Sequence, residues 1–218
     1  MPHPFWPFFD VRVVTPRLEL VGIDDGVALE IVQLAARGVH APDFMPFVFP
    51  WTDFPSPELE RRALQYHWRC RAEMSPALWE FNLAVKVDGA IVGSTGLKTT
   101  DFPTLRTFET GSWLGQEFHG RGLGKELRVA TLHLGFLGLG AVRATTSAFE
   151  DNGPSLGVTR SLGYAENGHT WKVRRGAPAR SLMFEMTRER FDATVRRDDV
   201  TLVGVEACLP MLGLNDAQ

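Results

Sequence analysis

The residues best suited to chemistry lie in Trp113-Leu114-Gly115-Gln116-Glu117-Phe118-His119-Gly120-Arg121-Gly122-Leu123-Gly124-Lys125. Glycines at 120, 122 and 124 let the backbone turn tightly and bring N–H groups near a ligand with no Cβ in the way. The pattern around them places the turn where a strand ends and a helix begins. The first turn of a helix leaves four donors unpaired and carries partial positive charge, which suits phosphate groups. Arg121 and Lys125 stand to add charge at the same mouth. Spacing argues against two nucleotide-binding readings. A P-loop would need glycine at 119 and Ser or Thr at 126, where His119 and Glu126 stand. The dinucleotide fingerprint begun at Gly120 or Gly122 needs glycine at 125 or 127, where Lys125 and Leu127 stand. A glycine-rich turn that serves packing alone is the competing reading of this stretch.

The elements that must position this turn are legible in outline. Val11 to Ile23 is strand-like, punctuated by Thr15-Pro16. Asp24 and Asp25 open a helix whose apolar face is Val27, Ile31, Leu34 and Ala35, with Gly38 as its stop. His40 to Pro57 packs Phe44, Phe47, Phe49, Trp51 and Phe54 among prolines, which excludes a long helix. A second helix runs from Pro57 to Met74, with Ser56 as its cap. Trp79 to Val87 and Ala90 to Leu97 flank Asp88-Gly89, the pair that a two-residue hairpin turn demands. Thr107 to Leu114 is a strand, Gly122 to Leu137 a helix, Val142 to Phe149 a strand and Pro154 to Leu162 a helix. Strands at Tyr164 to Val173 and Ser181 to Thr187 complete the order. Three antiparallel strands followed by strand–helix–strand make an α/β sheet of mixed direction, with a right-handed crossover through the helix from Gly122. One domain spans residues 1–190. A tail over 191–218 carries enough apolar residues to dock on that domain or on a partner subunit, as in a homodimer or higher homo-oligomer.

Composition narrows the class. The chain has 218 residues, 44 % apolar and 22 % charged, near the globular average, which argues against long-range disorder and fibrous folds. The formal charge of −3 argues against nucleic acid as a partner. Cys70 and Cys208 are far apart and read as buried reduced thiols, with a structural disulfide in an oxidising compartment as the alternative. The opening residues lack a basic leader, and the apolar stretch from Leu132 to Val142 is too short to span a bilayer. The expectation is a cytoplasmic protein with no membrane partner. The six histidines show no ligand spacing with acidic residues or cysteines, so no metal is expected.

His119-x-x-Gly122-x-Gly124 resembles motif A of the GNAT acetyltransferase superfamily, Q/R-x-x-G-x-G/A, with His119 where Gln or Arg is usual. Asp151-Asn152-Gly153-Pro154-Ser155, with Leu162-Gly163-Tyr164 behind it, is similar to the N-x-x-S…L-G-F/Y segment of that superfamily. Thr15-Pro16-Arg17-Leu18-Glu19-Leu20 resembles the opening strand of its RimJ/RimL-like branch, which includes acetylases of ribosomal-protein N-termini. Together the three cover roughly residues 12–190 in matching order.

The resemblance implies the GNAT fold: an α/β (α+β) domain with a mixed, mostly antiparallel sheet whose parallel central strands splay apart, flanked by helices. It implies acyl-CoA as co-substrate, with the pantetheine arm in the splay. Trp113, Leu114 and Gln116 would offer main-chain groups to that arm. The diphosphate would rest on the amides of Gly120, Arg121, Gly122, Leu123, Gly124 and Lys125, with His119 supporting the loop. Asn152 would orient the pantetheine or cap its helix. The implied reaction is direct acyl transfer from the thioester to a primary amine in a ternary complex. Ser155 is the expected proton donor or positioning hydroxyl at the sulfur, with an ordinary helix-capping role as its alternative. Glu109 is the expected base, with an ordinary solvent-facing strand residue as its alternative, and Glu80 is a weaker one, while Tyr164 reads as core. The Phe44 to Phe54 segment is the expected acceptor wall, with packing or a subunit contact as its alternative. The acceptor is a protein N-terminus, a peptide or a small amine. The donor is acetyl-CoA or succinyl-CoA, since the chain looks close to a succinyl-CoA-using member of the branch. A non-catalytic acyl-CoA sensor keeps the same cradle and is the rival reading.

Overall fold

A computed structural model describes residues 2–214. Its centre is a nine-stranded sheet ordered β7-β8-β6-β5-β4-β3-β2-β1-β9. The strands are β1 (Arg12–Val14), β2 (Glu19–Gly22), β3 (Leu78–Val87), β4 (Ala90–Thr100), β5 (Thr107–Leu114), β6 (Arg143–Phe149), β7 (Ala165–Arg174), β8 (Ala177–Thr187) and β9 (Thr201–Val203). Helices are α1 (Asp25–Arg37), α2 (Glu58–Ala72), the short α3 (Phe102–Leu105), α4 (Leu123–His133), α5 (Gly153–Ser161) and α6 (Arg188–Thr194). All neighbours pair antiparallel except β5 and β6. These two are parallel because α4 intervenes as the crossover between them.

Alternation along the strands sorts the side chains to two faces. Val21, Ala84 and Ile91 pack against Ala28, Ile31 and Leu34 of α1. Leu20, Leu83, Val85, Val92, Leu97 and Phe108 turn the other way, against Leu127, Ala130 and Leu132 of α4 and Leu156 of α5. So α1 covers one face, while α4 and α5 cover the opposite one.

Local sequence chemistry explains most boundaries. The Asp24 carboxylate accepts from the Val27 amide at 2.8 Å, which fixes the start of α1. The start of α2 differs from expectation: the helix begins at Glu58, and the Ser56 hydroxyl donates to the Glu60 carboxylate at 2.6 Å rather than capping an amide. Pro57 takes the cap position instead, and the Glu58 amide donates to the Pro55 carbonyl at 2.8 Å. The strand-like run from Val11 divides into β1 and β2, because Thr15 to Leu18 folds back on itself through Thr15 N–H to Leu18 O at 2.9 Å. The C-terminal stretch adds β9 beside β1, and Val205, Cys208, Leu212 and Leu214 are buried in the main core.

Candidate active site

β5 and β6 make only three parallel pairs, ending at Glu109↔Thr145, although β5 runs on to Leu114 and β6 to Phe149. Beyond that pair the strands part. On its other side β5 stays bound to β4, where the Gly115 amide donates to the Val92 carbonyl at 2.9 Å. Alternation then commits the main chain of Trp113 to β4 and turns that of Thr110, Ser112 and Leu114 toward the gap. Of the residues expected to offer main-chain groups, Leu114 faces the gap. Gln116 has its N–H committed to the Gly38 carbonyl at 3.0 Å.

The chain leaves β5 and turns through Gly120 and Gly122, both at φ 75°, a region that side chains with a Cβ enter only with strain. These two residues turn the chain out of β5 and into α4, which begins at Leu123 with Gly122 as its cap. Leu123 is buried and anchors the helix, whereas Gly120, Arg121, Gly122 and Lys125 are exposed and Gly124 is half-buried. His119 Nε2 donates to the Leu114 carbonyl at 3.0 Å, so its ring closes the base of the turn. Arg121 donates to the Glu117 carbonyl at 2.9 Å and lies over the Phe118 ring. Lys125 reaches the Ser161 carbonyl at the end of α5, at 3.4 Å.

The loop is braced by residues that motif spacing did not single out for it. Arg17 donates from Nε to Glu126 Oε2 at 2.6 Å, and from its Nη atoms to the carbonyls of Arg121 and Gly122 at 3.1 and 3.4 Å. Glu126 also accepts from the Thr15 hydroxyl at 2.7 Å and the Arg17 amide at 3.0 Å. Burial alone would raise the Glu126 pKa, but the hydrogen bonds from Thr15 and Arg17, with Arg17's charge, bring it below the ordinary value. Its negative charge in the first turn of α4 is thereby matched by Arg17. Nothing in the local sequence links residues so far apart; only the fold brings Thr15-Pro16-Arg17 beneath the loop.

On the β6 side, Asn152 Oδ1 accepts from the Ser155 amide at 3.2 Å, which caps α5. The half-buried Ser155 hydroxyl makes no hydrogen bond among the described residues. Glu109 shares its face of the sheet with Trp113, toward the α1 layer, and pairs with Lys98 at 3.2 Å. α5 lies in the opposite layer, so Glu109 and Ser155 flank the gap from different faces. Glu80 is engaged by the Tyr66 hydroxyl at 2.5 Å. Tyr164 is buried in the core, as its aromatic position suggests. Among the described residues no group of three or more His, Cys, Asp or Glu side chains is placed to hold a metal.

The proline-rich segment crosses this site on the α1 face. Trp51 packs on Trp113 at 5.7 Å between ring centroids, and Phe47 packs on Trp51 at 5.3 Å. The β7–β8 turn pins it: Arg174 pairs with both oxygens of Asp151 at 2.8 and 2.7 Å and reaches the Met45 carbonyl at 3.4 Å. Arg175 grips Asp53 at 2.8 and 2.5 Å. Hydrogen bonds from these arginines hold Asp151 and Asp53 below the usual carboxylate range.

The family model described as an acetyltransferase (GNAT) domain matches residues 17–165. The SPbeta prophage-derived uncharacterized N-acetyltransferase YokL of Bacillus subtilis (strain 168) is 30 % identical over 113 residues, 50 % of this chain. The match spans 63 % of that relative's length. Among solved structures, Mycobacterium smegmatis RimJ in complex with CoA-disulfide superposes with a TM-score of 0.64 at 20 % identity, covering 86 % of this chain and 95 % of that one. RimL, a ribosomal alpha-N-protein acetyltransferase in complex with coenzyme A, gives 0.64 at 16 % identity, covering 80 % and 96 %. The two superpositions speak for the fold. The matched residues begin at Arg17, the brace of the glycine turn, and end at Ala165, where β7 starts, so the chain belongs to the GNAT acetyltransferase family.

Proposed function

We propose that this chain is an N-acyltransferase that moves an acetyl or succinyl group from acyl-CoA to a primary amine within a ternary complex. The observation that carries the reading is the end of the β5–β6 ladder at Glu109↔Thr145, followed by a glycine turn whose residues Gly120, Arg121 and Gly122 are exposed. A neutral amide arm finds strand-edge partners in the gap, and an anionic diphosphate finds the N-terminus of α4. In this reading the amides from Gly120 to Lys125 hold the diphosphate, and the edges of Ser112 and Leu114 hold the arm. Unpaired strand amides in the gap also suit an oxyanion developing on the thioester carbonyl. Ser155 protonates or positions the leaving thiolate. Glu109, on the opposite face, takes the proton of the attacking amine directly or through water.

The acceptor comes to the α1 face, under the Phe44 to Phe54 segment. A protein N-terminus or peptide suits that groove, in keeping with what the named RimL acts on, and small amines belong in the same trial. Incubation with acetyl-CoA and succinyl-CoA against a panel of amines and peptides, read by thiol release and product mass, tests the proposal. Thiol release above the buffer rate with an acylated product supports it. Tight coenzyme A binding with no release above buffer across the panel would leave a sensor rather than an enzyme.

A further inference from the structure

Arg128 is a buried charged side chain beside the gap that the roles above leave unused. It projects from α4 and is 5 % exposed, and among the described residues no carboxylate pairs with it. Burying a cation without a counter-charge is costly unless its donors are met. Here Nη1 donates to Thr110 Oγ1 on β5 at 2.9 Å and to Thr146 Oγ1 on β6 at 3.1 Å. Nη2 reaches Ser112 Oγ at 3.4 Å, and buried Nε has no partner.

Thr110 and Thr146 are the first residues past the last main-chain pair, Glu109↔Thr145. Their hydroxyls, satisfied as acceptors by the guanidinium, donate across the gap. Thr146 Oγ1 donates to the Thr110 carbonyl at 3.2 Å, and Thr110 Oγ1 to the Thr145 carbonyl at 3.4 Å. Side-chain bonds therefore occupy the place where the next strand-to-strand amide bonds would form. One cation, touching both strands, organises this rung.

We infer that Arg128 is a positioning residue that holds β5 and β6 apart and so keeps open the berth of the pantetheine arm. The identity of the arm rests on the acyl-CoA reading; the parting of the strands does not. Without the guanidinium the two hydroxyls lose their shared donor, and Ser112 and Leu114 become free to extend the ladder toward β6.

The test compares Arg128→Met, which keeps the stem, and Arg128→Lys, which keeps the charge, with the unaltered protein. Amide hydrogen exchange at Ser112 and Leu114 is followed without ligand. Calorimetry gives affinities for coenzyme A and for ADP, which has a diphosphate but no arm. In Arg128→Met, exchange at the two amides slows by about tenfold as the strands close, whereas a merely destabilised sheet would exchange faster. Coenzyme A affinity falls by about tenfold, ADP affinity stays within about twofold, and Arg128→Lys recovers part of the loss. Unchanged or faster exchange, or equal losses for both ligands, would overturn the inference. If the unaltered protein binds neither ligand, the acyl-CoA reading fails, and the exchange measurement still decides the strut. Should Arg128→Met not fold, Thr146→Val removes the β6 end of the same rung and is expected to move exchange and affinity in the same directions.

Discussion

Ser155 and Gly122 set the sharpest tests at the scale of single residues. Ser155 already has its amide engaged by Asn152, so its hydroxyl is dispensable to the cap. Ser155→Ala is expected to lower kcat by about 10- to 100-fold while coenzyme A affinity stays within about twofold. An unchanged kcat would reduce Ser155 to a first-turn serine. Gly122 sits at φ 75°, so Gly122→Val adds backbone strain of about 1–2 kcal/mol and a branched side chain beside the loop amides. Coenzyme A affinity is expected to fall further than stability, and calorimetry beside a urea melt separates the two. The glycines were legible from spacing because that residue type enters such a turn with least strain. The brace beneath them was not. Arg17→Met leaves Glu126 unmatched in the first turn of α4, so coenzyme A should bind about tenfold more weakly, and adding Glu126→Gln should restore part of the loss. A double variant no better than Arg17→Met would mean that the loop carbonyls, not the charge, are what Arg17 serves.

At the scale of elements, α2 carries a pH dependence. His67 is buried beside Phe8, Phe9 and Ile23, and burial, with a smaller contribution from Arg71, pushes its pKa down to about 4. The unfolded chain takes up that proton near pH 6.5 while the folded chain stays neutral, so stability is complete above about pH 6.5. It falls as the pH drops toward about 4, by up to roughly 3.5 kcal/mol at about 1.4 kcal/mol per unit. Urea midpoints at pH 7 and 4.5 should show the loss, and His67→Gln should shrink it. An equal loss in both proteins would place the acid sensitivity elsewhere. The hairpin at Asp88-Gly89 and the cap at Asp24 were readable because each is a local bargain between neighbours in sequence. The true start of α2 was not, since Ser56 had a choice of partners that only the folded turn resolves.

At the scale of the molecule, the C-terminal stretch is structural. β9 pairs with β1, and Val205, Cys208, Leu212 and Leu214 lie in the main core. Each fully buried large apolar side chain contributes about 1.5–3 kcal/mol, comparable in sum to the 5–15 kcal/mol that holds a typical domain together. Deletion from Asp199 onward is therefore expected to abolish cooperative thermal unfolding, as read by circular dichroism. A truncated chain that melts like the full one would show these residues to be an appendage. β9 escaped notice in the sequence because a three-residue strand has too few positions for alternation to register.

The sequence by itself determined the order of the longer strands and helices, the glycine turn and the capped helix behind it, because propensity, capping and turn chemistry act over a few residues. It also carried the family resemblance, which rests on short motifs in order. Only the tertiary structure decided where the β5–β6 ladder stops, which charge steadies the loop, and which arginines pin the aromatic segment. Those outcomes depend on contacts between residues far apart in the chain. Their cost and reward exist only once burial has removed water and fixed which donor meets which acceptor.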